Sequence, residues 1–187
     1  MASESLATPT IGTASGGSQS YTLRASNASS SQTPVSLFTA NISGSPGSMT
    51  IAVTFSGTSG WHNLTVERWS GAVLAGTPAA NENITGGTAP SSTLTTTGTN
   101  SILSWISADW NAVAPGAPAY RSSAVQEDFF DKSGTGSYVT YSAYQGANTP
   151  GSQTYGLTSP SGQKPTMAAI EIQAAAPISN TLGWYKF

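Results

Sequence analysis

Cysteine is absent from this chain of 187 residues, and histidine occurs once, at position 62. Thiol chemistry, disulfides and Cys/His zinc sites are thereby excluded. Charge is almost as scarce. Asp, Glu, Lys and Arg make up 7% of the residues, against about 25% in an ordinary soluble domain. The net charge of −2 produces no field that would draw nucleic acid or an anionic membrane, so neither is an expected partner. No apolar run approaches the ~18 residues of a bilayer span. There is no Walker A loop and no G-x-G-x-x-G, so no nucleotide site is indicated and no cofactor is expected.

What is there instead is hydroxyl: 30 serines and 25 threonines, with 20 glycines. Hydrophobic residues still reach 37%, enough for one core in a chain whose length fits one domain. Such a surface suits an extracellular or virion protein. Yet the first residues, Met1 to Pro9, offer neither a basic n-region nor an apolar h-region and do not read as a Sec signal. The combination points to a virus particle, assembled in the host cytoplasm and released by lysis.

Residues 1–19 are rich in Ser, Thr, Gly and Ala, and read as an extended N-terminal arm. Short runs of period-2 alternation follow, each bounded by turn residues. They cover Ser20 to Ala25, Val35 to Ile42, Met49 to Phe55, Asn63 to Trp69, Thr93 to Thr97 and Ser101 to Trp110. Further runs cover Val125 to Phe130, Tyr138 to Tyr144, Gln153 to Leu157 and Met167 to Ala174. Met49, Ile51, Val53 and Phe55 share one face, and Leu64 and Val66 are expected inward with Thr65 and Glu67 outward. Ala168, Ile170 and Ile172 are expected inward, with Glu171 and Gln173 outward. Ala72 to Pro90 reads mostly as loop. About ten strands with no helical period predict an all-β fold, an antiparallel, jelly-roll-like β-sandwich over residues 20–176. Residues 177–187 form a separate aromatic tail after Pro177.

Chemistry is thinly represented. Glycoside hydrolysis needs two carboxyl groups, and Glu67 and Glu171 would meet only if their strands were neighbours; they read as solvated strand residues. Glu127-Asp128-Phe129-Phe130-Asp131 lacks the D-x-D-x-D-G spacing of a calcium loop. His62 reads as a turn histidine, and no G-x-S-x-G elbow accompanies it. No enzyme, no metal site and no catalytic residue are expected. Asn27, Asn41, Asn63 and Asn83 each head an N-x-S/T sequon, little more often than chance gives in so Ser/Thr-rich a chain, and without a secretory signal they carry no meaning. Aromatic rings remain. Trp61, Trp110 and Tyr120 are candidate glycan-facing rings, within a wider set that includes Trp69, Tyr138, Tyr141 and Tyr144; the alternative for most is core packing. Leu182, Trp184, Tyr185 and Phe187 sit on a tail too short to bury them, which marks them as a candidate partner interface.

The segments MTIAVTFSG (49–57), NLTVERWSGAVLAGTP (63–78), SSTLTTTGTNSILSWIS (91–107) and MAAIEIQAA (167–175) together resemble a β-sandwich module. That module occurs in actinobacterial secreted proteins and in minor tail or other virion proteins of their phages. The likeness covers roughly residues 20–176 and implies a non-catalytic fold, with no functional residue carried over. It departs at the start, where the module's opening strands are replaced by the polar arm; a sheet edge left open there must be covered by the arm or a neighbour. The resemblance implies a virion structural protein, a minor tail or capsid decoration subunit that contacts other virion proteins and copies of itself. The alternative is a carbohydrate-binding module that attaches to a host surface glycan.

Overall fold

Ser101–Asp109 is, up to its closing Asp109, apolar or hydroxylic on both faces, the pattern of a strand covered on two sides, and it lies inside the largest sheet, between two other strands. The computed structural model describes residues 2–4, 11–27, 33–42, 48–55, 61–73, 78–82, 87–109, 117–132 and 138–175. All regular structure among them is β. In chain order the strands are β1 (Ala2–Glu4), β2 (Ile11–Ser15), β3 (Thr22–Asn27), β4 (Val35–Thr39), β5 (Ala52–Phe55), β6 (Trp61–Asn63), β7 (Ala72–Val73) and β8 (Pro78–Glu82). There follow β9 (Ser91–Thr96), β10 (Ser101–Asp109), β11 (Ala119–Tyr120), β12 (Val125–Lys132), β13 (Tyr138–Ala147), β14 (Gly151–Ser159) and β15 (Thr166–Ala174).

The central sheet runs β12-β13-β10-β15, and β8 and β7 pair with successive parts of the outer side of β15. All its pairings are antiparallel. The registers Trp105↔Ala143 and Trp105↔Ala169 place odd-numbered residues of β10, β13 and β15 on one face. There Leu103, Trp105, Tyr141, Ala143, Met167 and Ala169 pack against Leu94 of β9 and Tyr155 and Leu157 of β14. These last belong to a small sheet of order β11-β14-β9. On the opposite face Ile106, Ala108 and Ala168 pack against Ala25 of β3 and Val35 of β4. Those strands belong to a sheet of order β3-β4-β1-β6. The fold is a β-sandwich whose central sheet carries a further layer, with β2 and β5 forming a separate ribbon.

Several expectations need correction. Within residues 72–90, read mostly as loop, β7 and β8 are strands that edge the central sheet. Pro78 opens an edge strand, where its missing N–H costs no ladder bond. The N-terminal arm is extended at Ala2–Glu4 and Ile11–Ser15, and both stretches pair within this chain: β1 lies between β4 and β6, and β2 pairs with β5. Leu64 and Val66 face outward, 42% and 56% exposed, so the faces of segment 63–69 are the reverse of those expected. Glu171 is fully buried rather than outward. Along 49–54 the alternation holds, with Met49, Ile51 and Val53 half-buried between exposed neighbours.

Candidate functional site

After β6 the chain continues extended across the face of the central sheet, and its odd-numbered residues point down onto that sheet. Asn63 Nδ2 donates to Asp128 Oδ2 at 2.8 Å and to Thr140 Oγ1 at 2.6 Å. Thr65 Oγ1 donates to Asp128 Oδ2 at 3.4 Å and accepts from Ser142 Oγ at 3.4 Å. Glu67 Oε1 accepts from Ser104 Oγ, and its Oε2 from the Trp69 indole, both at 2.9 Å. Trp69 meets Tyr144 edge to face with ring centroids 5.0 Å apart. The inward positions are polar because the sheet face beneath them is lined with Ser104, Thr140 and Ser142. Hydroxyls of that kind need partners rather than methyl groups.

A β-bulge completes the site. The register of β12 against β13 shifts between Gln126 and Asp128, leaving Glu127 as the extra residue. A bulge re-aims the side chain it carries, and here Glu127 reaches the Glu67 carboxyl. Burial pushes the Glu127 carboxyl up to about 9, helped by its hydrogen bond to Glu67 and by the charge of Glu67. At neutral pH Glu127 is therefore a neutral acid donating its proton to the Glu67 carboxylate.

A neutral acid beside a carboxylate is also the pairing that hydrolases use. Glycosidases, however, hold their two carboxyl groups about 5–9.5 Å apart, with substrate or water between them. Here the carboxyls bond to one another, and both oxygens of Glu67 also serve Ser104 and Trp69. The arrangement fits a clasp that fastens segment 63–69 to the sheet.

The other residues singled out from sequence fall elsewhere. Glu171 does not approach Glu67. Its carboxylate accepts from the backbone N–H groups of Thr97 and Gly98 and from the hydroxyls of Thr97 and Ser101. Burial acting alone would raise this carboxyl, but those donors outweigh it and hold it below the usual carboxylate range. Among the described residues, no cluster of three or more His, Asp or Glu is placed to hold a metal ion. His62 is exposed on β6, opposite Ser3. Tyr120 is no free platform, because its ring packs against Trp105 with centroids 5.9 Å apart, beside the larger core. Tyr138 and Tyr141 are likewise buried. Trp61 contributes backbone to β6, but its side chain, like Trp110 and the tail residues Leu182, Trp184, Tyr185 and Phe187, lies outside the described residues.

Comparison with known proteins yields no matching family model, curated protein or solved structure.

Proposed function

We propose that this protein is a non-enzymatic structural subunit of a bacteriophage particle, a minor tail or capsid decoration protein acting through contacts with neighbouring subunits. The observation that carries this reading is the β12 side of the central sheet. Among the described residues β12 is paired on one side only, with β13. Val125 and Phe130 of β12, and Leu64 and Val66 of the segment lying over the adjoining sheet face, are each at least 40% exposed. An open strand edge with apolar side chains around it is a ready docking surface for another chain. The occupant proposed is a neighbouring subunit of the same particle. The hydroxyl-rich, weakly charged composition supports the same reading.

The test uses the full chain and a Leu64→Asp/Val66→Asp variant, compared by thermal melting, sedimentation and co-sedimentation with particles lacking this subunit. Both side chains face solvent, so the variant should melt like the parent but fail to incorporate. Normal incorporation of the variant, or failure of the parent chain to join particles at all, would overturn the reading.

A further inference from the structure

At the other end of the central sheet, strands β3 and β4 run beside a polar groove of about 390 Å³, lined by Gln19, Ser20, Thr22, Arg24, Thr39 and Asn41 among others. The volume lies within the range of small-ligand sites. The lining is made of hydroxyl, amide and guanidinium groups, a poor host for an apolar molecule and a good one for a polyol. Arg24 is its one charged residue.

Two features show that the groove is held in shape. First, Arg24 is the extra residue of a β-bulge, since Leu23 pairs with Phe38 and Ala25 with Leu37. Its Nε donates to Thr39 Oγ1 at 2.8 Å, which orients the guanidinium plane. The terminal amino groups have no hydrogen-bond partner among the described residues, and an Arg fork presents such groups in the geometry that matches an anionic oxygen pair. Second, the wall at residues 16–19 follows a path that few sequences tolerate. Gly16, Gly17 and Ser18 have φ of 138°, 57° and 55°. A Cβ on Gly16 would lie 2.0 Å from the Thr50 carbonyl oxygen, and one on Gly17 2.8 Å from Met49 Sδ. A serine in the left-handed region costs energy. The turn is kept by bonds from Gln19, whose N–H donates to the Gly16 carbonyl at 3.1 Å and whose Nε2 donates to the Gly17 carbonyl at 3.0 Å.

We infer that this groove binds an anionic sugar, a polyol carrying a carboxylate or phosphate group, with Arg24 taking the anion and the surrounding hydroxyls and amides taking the sugar hydroxyls. The inference goes beyond the subunit reading and does not depend on it, because β3 packs over β15 while the proposed contact lies along β12. The ligand's chemistry comes from two common sources, uronic-acid polysaccharides and polyol-phosphate polymers.

Isothermal titration of the full chain with three oligomers of matched length tests it: a hexuronate oligosaccharide, a polyol-phosphate oligomer and a neutral glucan. One or both anionic oligomers should bind, and which one does identifies the source. Arg24→Ala should weaken that binding at least tenfold and Arg24→Lys less, with added salt eroding it in the parent chain. Arg24 is exposed, so both variants should melt like the parent. Asn41→Ala, which removes an uncharged group of the lining, should lower affinity without changing its salt dependence. Binding of the neutral glucan as tightly as the anionic oligomers, binding unchanged by Arg24→Ala, or no binding of any oligomer would each overturn the proposal.

Discussion

Glu127 and Glu171 are both partly or wholly removed from water, yet they respond to pH in opposite directions. The unfolded chain releases the Glu127 proton near the ordinary value of 4.5, whereas the folded chain holds it up to about 9. Between those limits the native state binds the extra proton, so stability falls as pH rises. The contribution is complete below about 4.5 and gone once pH passes about 9. Urea unfolding between pH 5 and 9 should show this decline, and Glu127→Gln, which keeps a donor for Glu67, should flatten it. A parent curve as flat as the variant's would contradict the shared proton. Glu171 works the other way, since its carboxyl lies below the usual range. Its stabilisation is present above that range and lost as pH falls through the lowered value. Glu171→Ala leaves the Thr97 and Gly98 N–H groups and the Ser101 hydroxyl without their acceptor. Thr97 is exposed and Gly98 half-buried, so the Ser101 hydroxyl is the one fully buried group of the three. At roughly 1–3 kcal/mol for a buried unsatisfied group, equilibrium denaturation should register a loss of about 1–3 kcal/mol.

Among the elements, β15 and segment 63–69 test the face assignments directly. Ile170 is 4% exposed on the strand between β10 and β8. Ile170→Ala should cost about 2–5 kcal/mol, while Val66→Ser should stay within about 0.5 kcal/mol, as surface changes do. Similar losses at both positions in denaturant titrations would refute the assignment. The strands most legible in sequence were Thr166–Ala174, where Ala168, Ile170 and Ile172 alternate, and Ser101–Asp109, where β-formers bounded by turn residues occupy both faces. Segment 63–69 shows the limit of that logic. Its period was legible, but its direction was not, because the rule that apolar residues face inward assumes an apolar floor. Here the floor is Ser104, Thr140 and Ser142, so Asn63, Thr65 and Glu67 turn inward and Leu64 and Val66 are displaced to the surface. Strand β8 was missed because Pro-Ala-Ala-Asn-Glu has no β-branched or aromatic residue, and it is held by pairing with β15 rather than by propensity. Arg24 and Glu127 were out of reach for another reason: each is the odd residue of a bulge, and a bulge breaks the period that sequence reading depends on.

At the scale of the whole molecule, the first strands tie others together. Strand β1 lies between β4 and β6, satisfying backbone groups that would otherwise be sheet edges. Removing residues 1–15 deletes β1 and β2 together and exposes β4, β5 and β6. The cost should be on the order of 2 kcal/mol, seen as a fall of about 4–8 °C in melting temperature for a chain of this size. Differential scanning calorimetry of the truncated chain measures it, and an unchanged midpoint would show that the early strands contribute nothing to closure.

The position of β15 also bears on how the protein is made. This late strand, Thr166–Ala174, is also an inner one, bonded to β10 on one side and to β8 and β7 on the other. A nascent chain that has reached Pro165 already contains those three strands; β10 has its other partner, β13, but β8 and β7 lack theirs. The β12-β13-β10 part of the central sheet can therefore pair first, and the sheet closes only when β15 enters between β10 and the edge strands β8 and β7. Pairings so distant in sequence form slowly, and unpaired edges attract other chains meanwhile. Ribosome stalling or premature release before Thr166 would leave a product inclined to aggregate, so the yield of this protein is tied to finishing the chain.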